Sequence, residues 1–333
     1  MNILVFEYIT GGGLVNQPLP SSLVHEGEMM LRAVTNDFSR IADIRLTILK
    51  DYRLAAQIDE AKEISINPEV SSIQVIEAMA NELDVVLVIA PETDNILASL
   101  CEKLEKHTFI LCNANLESIK LTTDKYATYQ YLSQYAIAQI PSYTLDELSD
   151  LQNKHKLEKY IVKSKDGVGC ENLMIVEGNI DNAIAALEKD NYIIQPFVQG
   201  MAVSLSLLCW DGDCLVLTAN EQILEQKNNS LNLKQCHVNS LDKELFTSFA
   251  EKLIKALPGL RGYVGVDIVI ADNKIYLVEI NPRLTTSYAG ISAALGINLA
   301  NLMLHCFVDK KLPPLQATCN DSFLLTLDAE CAA

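Results

Sequence analysis

The stretch from Arg261 to Ala289, RGYVGVDIVIADNKIYLVEINPRLTTSYA, constrains the fold more than any other part of the chain. Val264 to Ile270 and Lys274 to Ile280 are rich in β-branched residues and flank Ala271-Asp272-Asn273, a turn-forming cluster, so the pattern predicts a β-hairpin. Each strand carries one acid in an otherwise apolar interior, Asp267 on the first and Glu279 on the second. A carboxylate among valines and isoleucines is costly to bury without a partner, and two brought together across a hairpin repel each other. A divalent cation resolves both problems. Asn281 stands two residues after Glu279 and so on the same face of an extended segment. Asp267, Glu279 and Asn281 then form a hard, all-oxygen donor set suited to Mg²⁺ or Mn²⁺. Arg283 continues the alternation where Pro282 keeps the chain extended. The same spacing also fits an ordinary hairpin with solvated acids on its outer face.

Upstream, Asn2 to Tyr8 is an apolar run ending in Ile9-Thr10-Gly11-Gly12-Gly13, as the first strand of a parallel sheet entering a glycine-rich loop. It lacks the G-x-G-x-x-G order that opens directly into a helix, so a turn fits it better than a phosphate cradle. Ser21 and Ser22 are placed to cap a helix reaching about Phe38. Strands over 45–49, 84–90 and 108–112 alternate with helices over about 71–83 and 93–106, predicting a small parallel α/β domain across 1–115.

Two lysines then stand out. Thr122-Thr123-Asp124-Lys125 opens a helix and puts Lys125 in its first turn, where the helix dipole disfavours a cation. An anion within reach explains it, as does plain solvation. Tyr160 to Ser164 reads as a strand carrying Lys163, followed by Lys165-Asp166-Gly167-Val168-Gly169-Cys170 and a second strand over 173–176. Glycines at 167 and 169 let backbone N–H groups approach a phosphate while the lysine neutralises it. The P-loop order G-x-x-x-x-G-K-[ST] is absent.

Composition narrows the function classes. A chain of 333 residues that is 49% hydrophobic buries a substantial core, in two or three domains. A formal charge of −17 argues against a nucleic-acid surface, and an anionic nucleotide would need a local cationic pocket and a metal. Nine cysteines, with no C-x-x-C pair, fit neither a disulfide framework nor a zinc site and read as reduced cytosolic thiols. Cys209 and Cys214 would face each other across an Asp211-Gly212 turn as small strand hydrophobes. The N-terminus starts with a strand, not with a charged segment and an apolar run, so a cytoplasmic protein without a membrane span is expected.

The E-x-N-x-R pattern after an apolar strand, with an aspartate on the preceding strand, resembles the metal-binding end of the ATP-grasp ligases. EINPRLTTSYAG and FEYITGGG together resemble the branch that joins tyramine to glutamate in methanofuran biosynthesis. The resemblance implies an N-terminal α/β domain over 1–115 and an ATP-grasp fold of two α+β subdomains, 116–200 with the glycine loop and 201–333 with the metal hairpin. It implies ATP held by Lys125, Lys163 and the loop at Gly167 and Gly169, with its adenine around Phe197 and Val198 and Gln195 at the amino edge. It implies a metal on Asp267, Glu279 and Asn281, and Arg283 and Lys163 acting on the reacting groups. Ala202 falls where many members carry a ribose-binding glutamate, and Gly265 where some carry a further arginine, which leaves more to Arg283. The implied reaction joins glutamate, through its side-chain carboxylate, to tyramine or tyrosine by way of an acyl phosphate; a homo-oligomer is compatible with it. Two rivals stand beside it, a bicarbonate-phosphorylating enzyme of the carboxylase or carbamoyl-phosphate synthetase kind and a non-catalytic ATP-binding regulator. The lack of a biotin-carrier A-M-K-M segment weighs against the first, and the full set of ligands and lysines against the second.

Overall fold

The computed structural model describes residues 1–327 except 56, 155–158, 168–172, 179 and 186, and except the side chains at 153, 154 and 182. The chain opens as β1 (Asn2–Glu7), α1 (Ser21–Ser39), β2 (Arg45–Asp51), β3 (Lys62–Ile66), α2 (Ser72–Met79), β4 (Val85–Ile89), α3 (Ile96–Leu104) and β5 (Ile110–Leu111). Its strands pair in parallel in the order β3-β2-β1-β4-β5. β1 and β4 are central and buried on both faces, which is why they read as continuous apolar runs. β3, KEISI, is a sheet edge too short and too polar to be legible in the sequence.

The glycine run after β1 is a packed turn. The buried Glu7 carboxylate accepts hydrogen bonds from the N–H of Ile9 (3.1 Å), the N–H of Thr10 (2.7 Å) and the Thr10 hydroxyl (2.5 Å). Gly12 has φ +88°, and a Cβ there would lie 2.5 Å from Ile66 Cγ2. The expected serine cap of α1 is not formed: Pro20 holds the N-cap position, and Ser21 and Ser22 lie within the helix.

Next come α4 (Leu116–Thr123), α5 (Lys125–Leu132), β6 (Tyr143–Thr144), α6 (Leu148–Lys154), β7 (Lys159–Ser164), β8 (Met174–Glu177), α7 (Asp181–Ile184) and β9 (Tyr192–Pro196). Their strands form an antiparallel sheet ordered β6-β9-β7-β8. The chain continues as β10 (Met201–Trp210), β11 (Asp213–Lys227), β12 (Ser230–Leu241), α8 (Glu244–Ala256), β13 (Gly262–Ala271), β14 (Lys274–Asn281), α9 (Tyr288–Leu295), α10 (Leu299–Asp309) and β15 (Phe323–Thr326). These strands make a second antiparallel sheet, β14-β13-β10-β11-β12-β15. β12 and β15 were not expected from the sequence.

One apolar cluster joins Ile3 and Val5 of β1 and Met30 of α1 to Ile291 of α9 and Met303 of α10, so the parallel sheet and the last sheet share a core. A polar latch crosses the same boundary, where buried Asp37 of α1 accepts from the Tyr288 hydroxyl (3.0 Å) and the Ser292 hydroxyl (2.5 Å). Cys209 and Cys214 are directly opposed across the Asp211-Gly212 turn, and both are free thiols. Among the described residues no single helix is long and apolar enough to cross a membrane.

Candidate active site

The hairpin of β13 and β14 closes through two residues, Asp272 (φ +49°) and Asn273 (φ +59°), a tighter turn than the three-residue cluster suggests. Positive φ at both central positions is the type I′ pattern that matches strand twist, and Asp and Asn tolerate it. The register sets Asp267 opposite Glu279 and Gly265 opposite Asn281. Asn281 Nδ2 donates to Asp267 Oδ2 at 3.0 Å, and Gln222 Nε2, from β11, donates to Asp267 Oδ1 at 2.9 Å.

Two lysines close over this pair. Asp124 caps α5 by accepting from the N–H groups of Tyr126 and Ala127, which fixes Lys125 as the first helical residue. Lys125 Nζ lies 3.5 Å from Glu279 Oε2 and also donates to the Gly167 carbonyl, tying the start of the glycine loop to the β13–β14 hairpin. Lys163, on β7, is 6% exposed and its charge also acts on Glu279. Burial by itself would push the Glu279 carboxyl up, yet the ammonium groups of Lys125 and Lys163 hold it below the ordinary carboxylate range. Asp267 has only the hydrogen bonds from Asn281 and Gln222, which lower it less than its surroundings raise it. Burial, and then the Glu279 charge beside it, push the Asp267 carboxyl up to about 7.

That contrast bears on whether a metal fits. Among the described residues no group of three or more His, Cys, Asp or Glu could hold an ion. The donor set is two opposed carboxylates and one amide, hard oxygen chemistry of the kind that binds Mg²⁺ together with substrate phosphates. A cation between Asp267 and Glu279 would relieve the repulsion that raises Asp267. The residues therefore fit Mg²⁺ or Mn²⁺, with the Asn281 amide turned to present its oxygen.

These groups line a cleft of about 680 Å³, within the range of small-molecule sites. Lys125, Lys163, Gly167, Gln195, Phe197, Val198, Asp267, Glu279, Asn281 and Arg283 all face it. Gly169 lies outside the described residues. Gln195 Nε2 donates to Ser142 Oγ at 2.8 Å, and the Phe197 N–H is committed to the Lys159 carbonyl at 3.2 Å. Ala202 and Glu221 lie on neighbouring strands of the same wall.

Arg283 is held from the far side of the molecule. Its Nε donates to Glu92 Oε2 at 2.9 Å, and an Nη donates to the Leu284 carbonyl at 3.0 Å. The loop that follows rests on a hydroxyl cluster: the Tyr263 hydroxyl is 2.9 Å from Thr285 Oγ1 and 3.0 Å from the Oγ atoms of Ser206 and Ser287. Position 265 is a glycine because Thr285 fills its space; a Cβ there would lie 2.5 Å from Thr285 Cγ2. Glu92 and Tyr263 are participants that the sequence does not mark, and Gln222 stands at a strand end that reads equally well as solvated. Glu92 sits in P-E-T-D beyond an apolar strand, a pattern that reads as a helix start, and only its partner 191 residues away reveals it.

Comparison with known proteins finds relatives over most of the chain. An ATP-grasp domain family model matches residues 122–287, and a pre ATP-grasp 3 domain model matches 44–119. Tyramine–L-glutamate ligase from Methanocaldococcus fervens is 30% identical, covering 87% of this chain and 89% of that protein. The ligase of the same name from Methanocaldococcus jannaschii is 26% identical over 91% of this chain and 88% of its own length. Among solved structures, an ATP-grasp superfamily protein from Archaeoglobus fulgidus superposes with a TM-score of 0.68 at 22% identity, covering 98% of this chain and 100% of that one. On these sequence matches, the chain belongs to the ATP-grasp family of ADP-forming ligases.

Proposed function

We propose that this protein joins the side-chain carboxylate of glutamate to a primary amine of the tyramine class, converting ATP to ADP and phosphate by way of an acyl phosphate. The observation that carries the reading is the opposed pair Asp267 and Glu279, with Lys125 3.5 Å from Glu279, in the same cleft as Arg283. The names of the relatives from Methanocaldococcus support the choice of substrates.

A carboxylate is unreactive towards amines because its oxygen is a poor leaving group, and phosphorylation supplies a good one. The work left to the protein is mainly charge placement. Lys125 and Lys163 neutralise the nucleotide phosphates, and Arg283 faces the charge that develops on the transferring phosphoryl group and on the acyl oxygen. Asp267, Glu279 and Asn281 would hold Mg²⁺ or Mn²⁺, which would supply positive charge to offset that of the phosphates. Phe197 and Val198 wall the adenine end, where apolar surface suits an aromatic base.

The test is to supply the full chain with ATP, Mg²⁺, glutamate and tyramine, and to identify the products by mass. Oxygen-18 in the glutamate side-chain carboxylate is expected in the released phosphate, with one equivalent of ADP per amide. Label retained wholly in the amide, or AMP as the product, excludes the acyl phosphate. Turnover with bicarbonate and with no amino acid would favour the bicarbonate-phosphorylating reading.

A further inference from the structure

The cleft is also lined from helix α1, through Glu26 and Met30. In the parallel sheet the strand order reverses between β1 and β4, and open sheets of this kind take ligands in the crevice outside the carboxyl ends at such a point. Glu7 ends β1, Glu92 stands just beyond β4, and Arg283 reaches across to Glu92. The crevice therefore opens beside the group that faces the reacting phosphoryl. Helix α1 forms its wall. Gly27 lets that helix approach closely, since a Cβ there would lie 2.6 Å from Glu7 Oε2. The approach sets Glu26, and Met30 one turn later on the same helix face, into the lining of the cleft.

The acids here are not equivalent. Glu7 is 2% exposed and Glu92 3% exposed, and neither lines the cleft. Glu26 is partly buried, and among the described residues it is the acid of the first 115 that lines the cleft. Burial works against the charge of Arg283, and the carboxylates of Glu92, Glu279 and Glu26 offset it, so Glu26 stands within electrostatic reach of the same guanidinium. Of the other cleft acids, Asp267 and Glu279 would hold the proposed metal, and Glu221 stands beside Ala202 on the β10–β11 wall. The reaction, however, calls for one more carboxylate, because a primary amine is mostly protonated at neutral pH and attacks only when neutral.

We infer that Glu26 binds the ammonium group of the incoming amine and takes a proton from it, with Met30 against the amine's apolar body. This rests on the acyl-phosphate reading above. The Glu26 carboxylate accepts one proton from R–NH₃⁺, and the freed nitrogen lone pair forms the bond to the acyl carbon. The carbon–oxygen bond to the phosphoryl group breaks, its electron pair leaving with phosphate. The second nitrogen proton goes to that phosphate, and Glu26 returns its own to solvent. Arg283 is the cation within electrostatic reach of this position, and Glu7 packs behind it at Gly27.

The experiment compares two nucleophiles in one enzyme. Hydroxylamine is already neutral at pH 7 and traps an acyl phosphate as the hydroxamate, whereas tyramine must first lose a proton. For Glu26→Gln, amide formation with tyramine is expected to fall about 100-fold, against a loss of less than about fivefold in hydroxamate formation. The tyramine deficit is expected to shrink as pH rises and solvent deprotonates the amine, and Glu26→Asp is expected to recover part of it. Equal losses with both nucleophiles, no loss with either, or a tyramine deficit that does not vary with pH would overturn the inference. Absence of glutamate-dependent ADP and hydroxamate in the wild-type enzyme would instead overturn the acyl-phosphate reading beneath it.

Discussion

Arg283 Nε lies 2.9 Å from Glu92 Oε2, so the segment that leaves the metal hairpin is pinned to the carboxyl end of the parallel sheet. The pair is largely desolvated, with side chains 13% and 5% exposed, and Glu92 Oε1 is buried with no hydrogen-bond partner among the described residues. Removing one member of such a pair strands the other charge. Glu92→Ala is therefore expected to lower unfolding stability by about 3 kcal/mol in urea titrations. An unchanged midpoint and slope would mean that the pair does not hold the two sheets together.

Asp267 and Glu279 face each other across the hairpin, and in the proposed function a bound cation would have both as ligands. Glu279→Ala is expected to cut metal-dependent ATP turnover on the order of a thousandfold while the protein stays folded by circular dichroism. Normal turnover at low Mg²⁺ would move the metal site elsewhere.

Lys163 is buried on β7 and its charge acts on Glu279. A preorganised charge of this kind contributes roughly 3 kcal/mol to the transition state, so Lys163→Met is expected to lower kcat about 100-fold. Full activity in a folded variant would return Lys163 to a structural role.

Gly265 leaves room for Thr285, whose Cγ2 would lie 2.5 Å from an added Cβ. Gly265→Ala is expected to destabilise the protein by about 1–3 kcal/mol and to disturb the loop behind Arg283. Adding Thr285→Ser removes the clashing methyl and keeps the hydroxyl. The double variant should regain most of the lost stability; a double no better than the single would show that the strain lies elsewhere.

Burial raises the Asp37 carboxyl above its ordinary 3.8, and the bonds from Ser292 and Tyr288 and the charge of Arg40 only partly counter it. The sign follows from proton linkage. A carboxyl with a higher pKa folded than unfolded adds stability that is complete below its unfolded value and is lost as pH rises through its folded value. Wild-type stability should thus fall with rising pH over that window, and Asp37→Asn should flatten the decline. Parallel pH profiles for the two proteins would sever Asp37 from the effect.

Much of this protein was decided locally. Alternating β-branched residues around Asp272-Asn273 dictate the hairpin, and the period of two in a strand puts Asp267, Glu279 and Asn281 on one face. Asp124 before Lys125 dictates a capped helix start, and β1 and β4 announce a parallel sheet by being apolar throughout. Such features were legible because each depends on neighbours a few residues apart. Polar edge strands such as β3 were not, since their strand character comes from the partner they pair with. The function of the glycine run was also undecided until Ile66 and Glu7 were seen packed against it. Arg283 with Glu92, Glu26 in the cleft wall, and Gln222 on Asp267 were set by tertiary structure alone. A charged side chain becomes specific only when desolvation removes water as its partner, and which residues exclude that water depends on how distant segments pack.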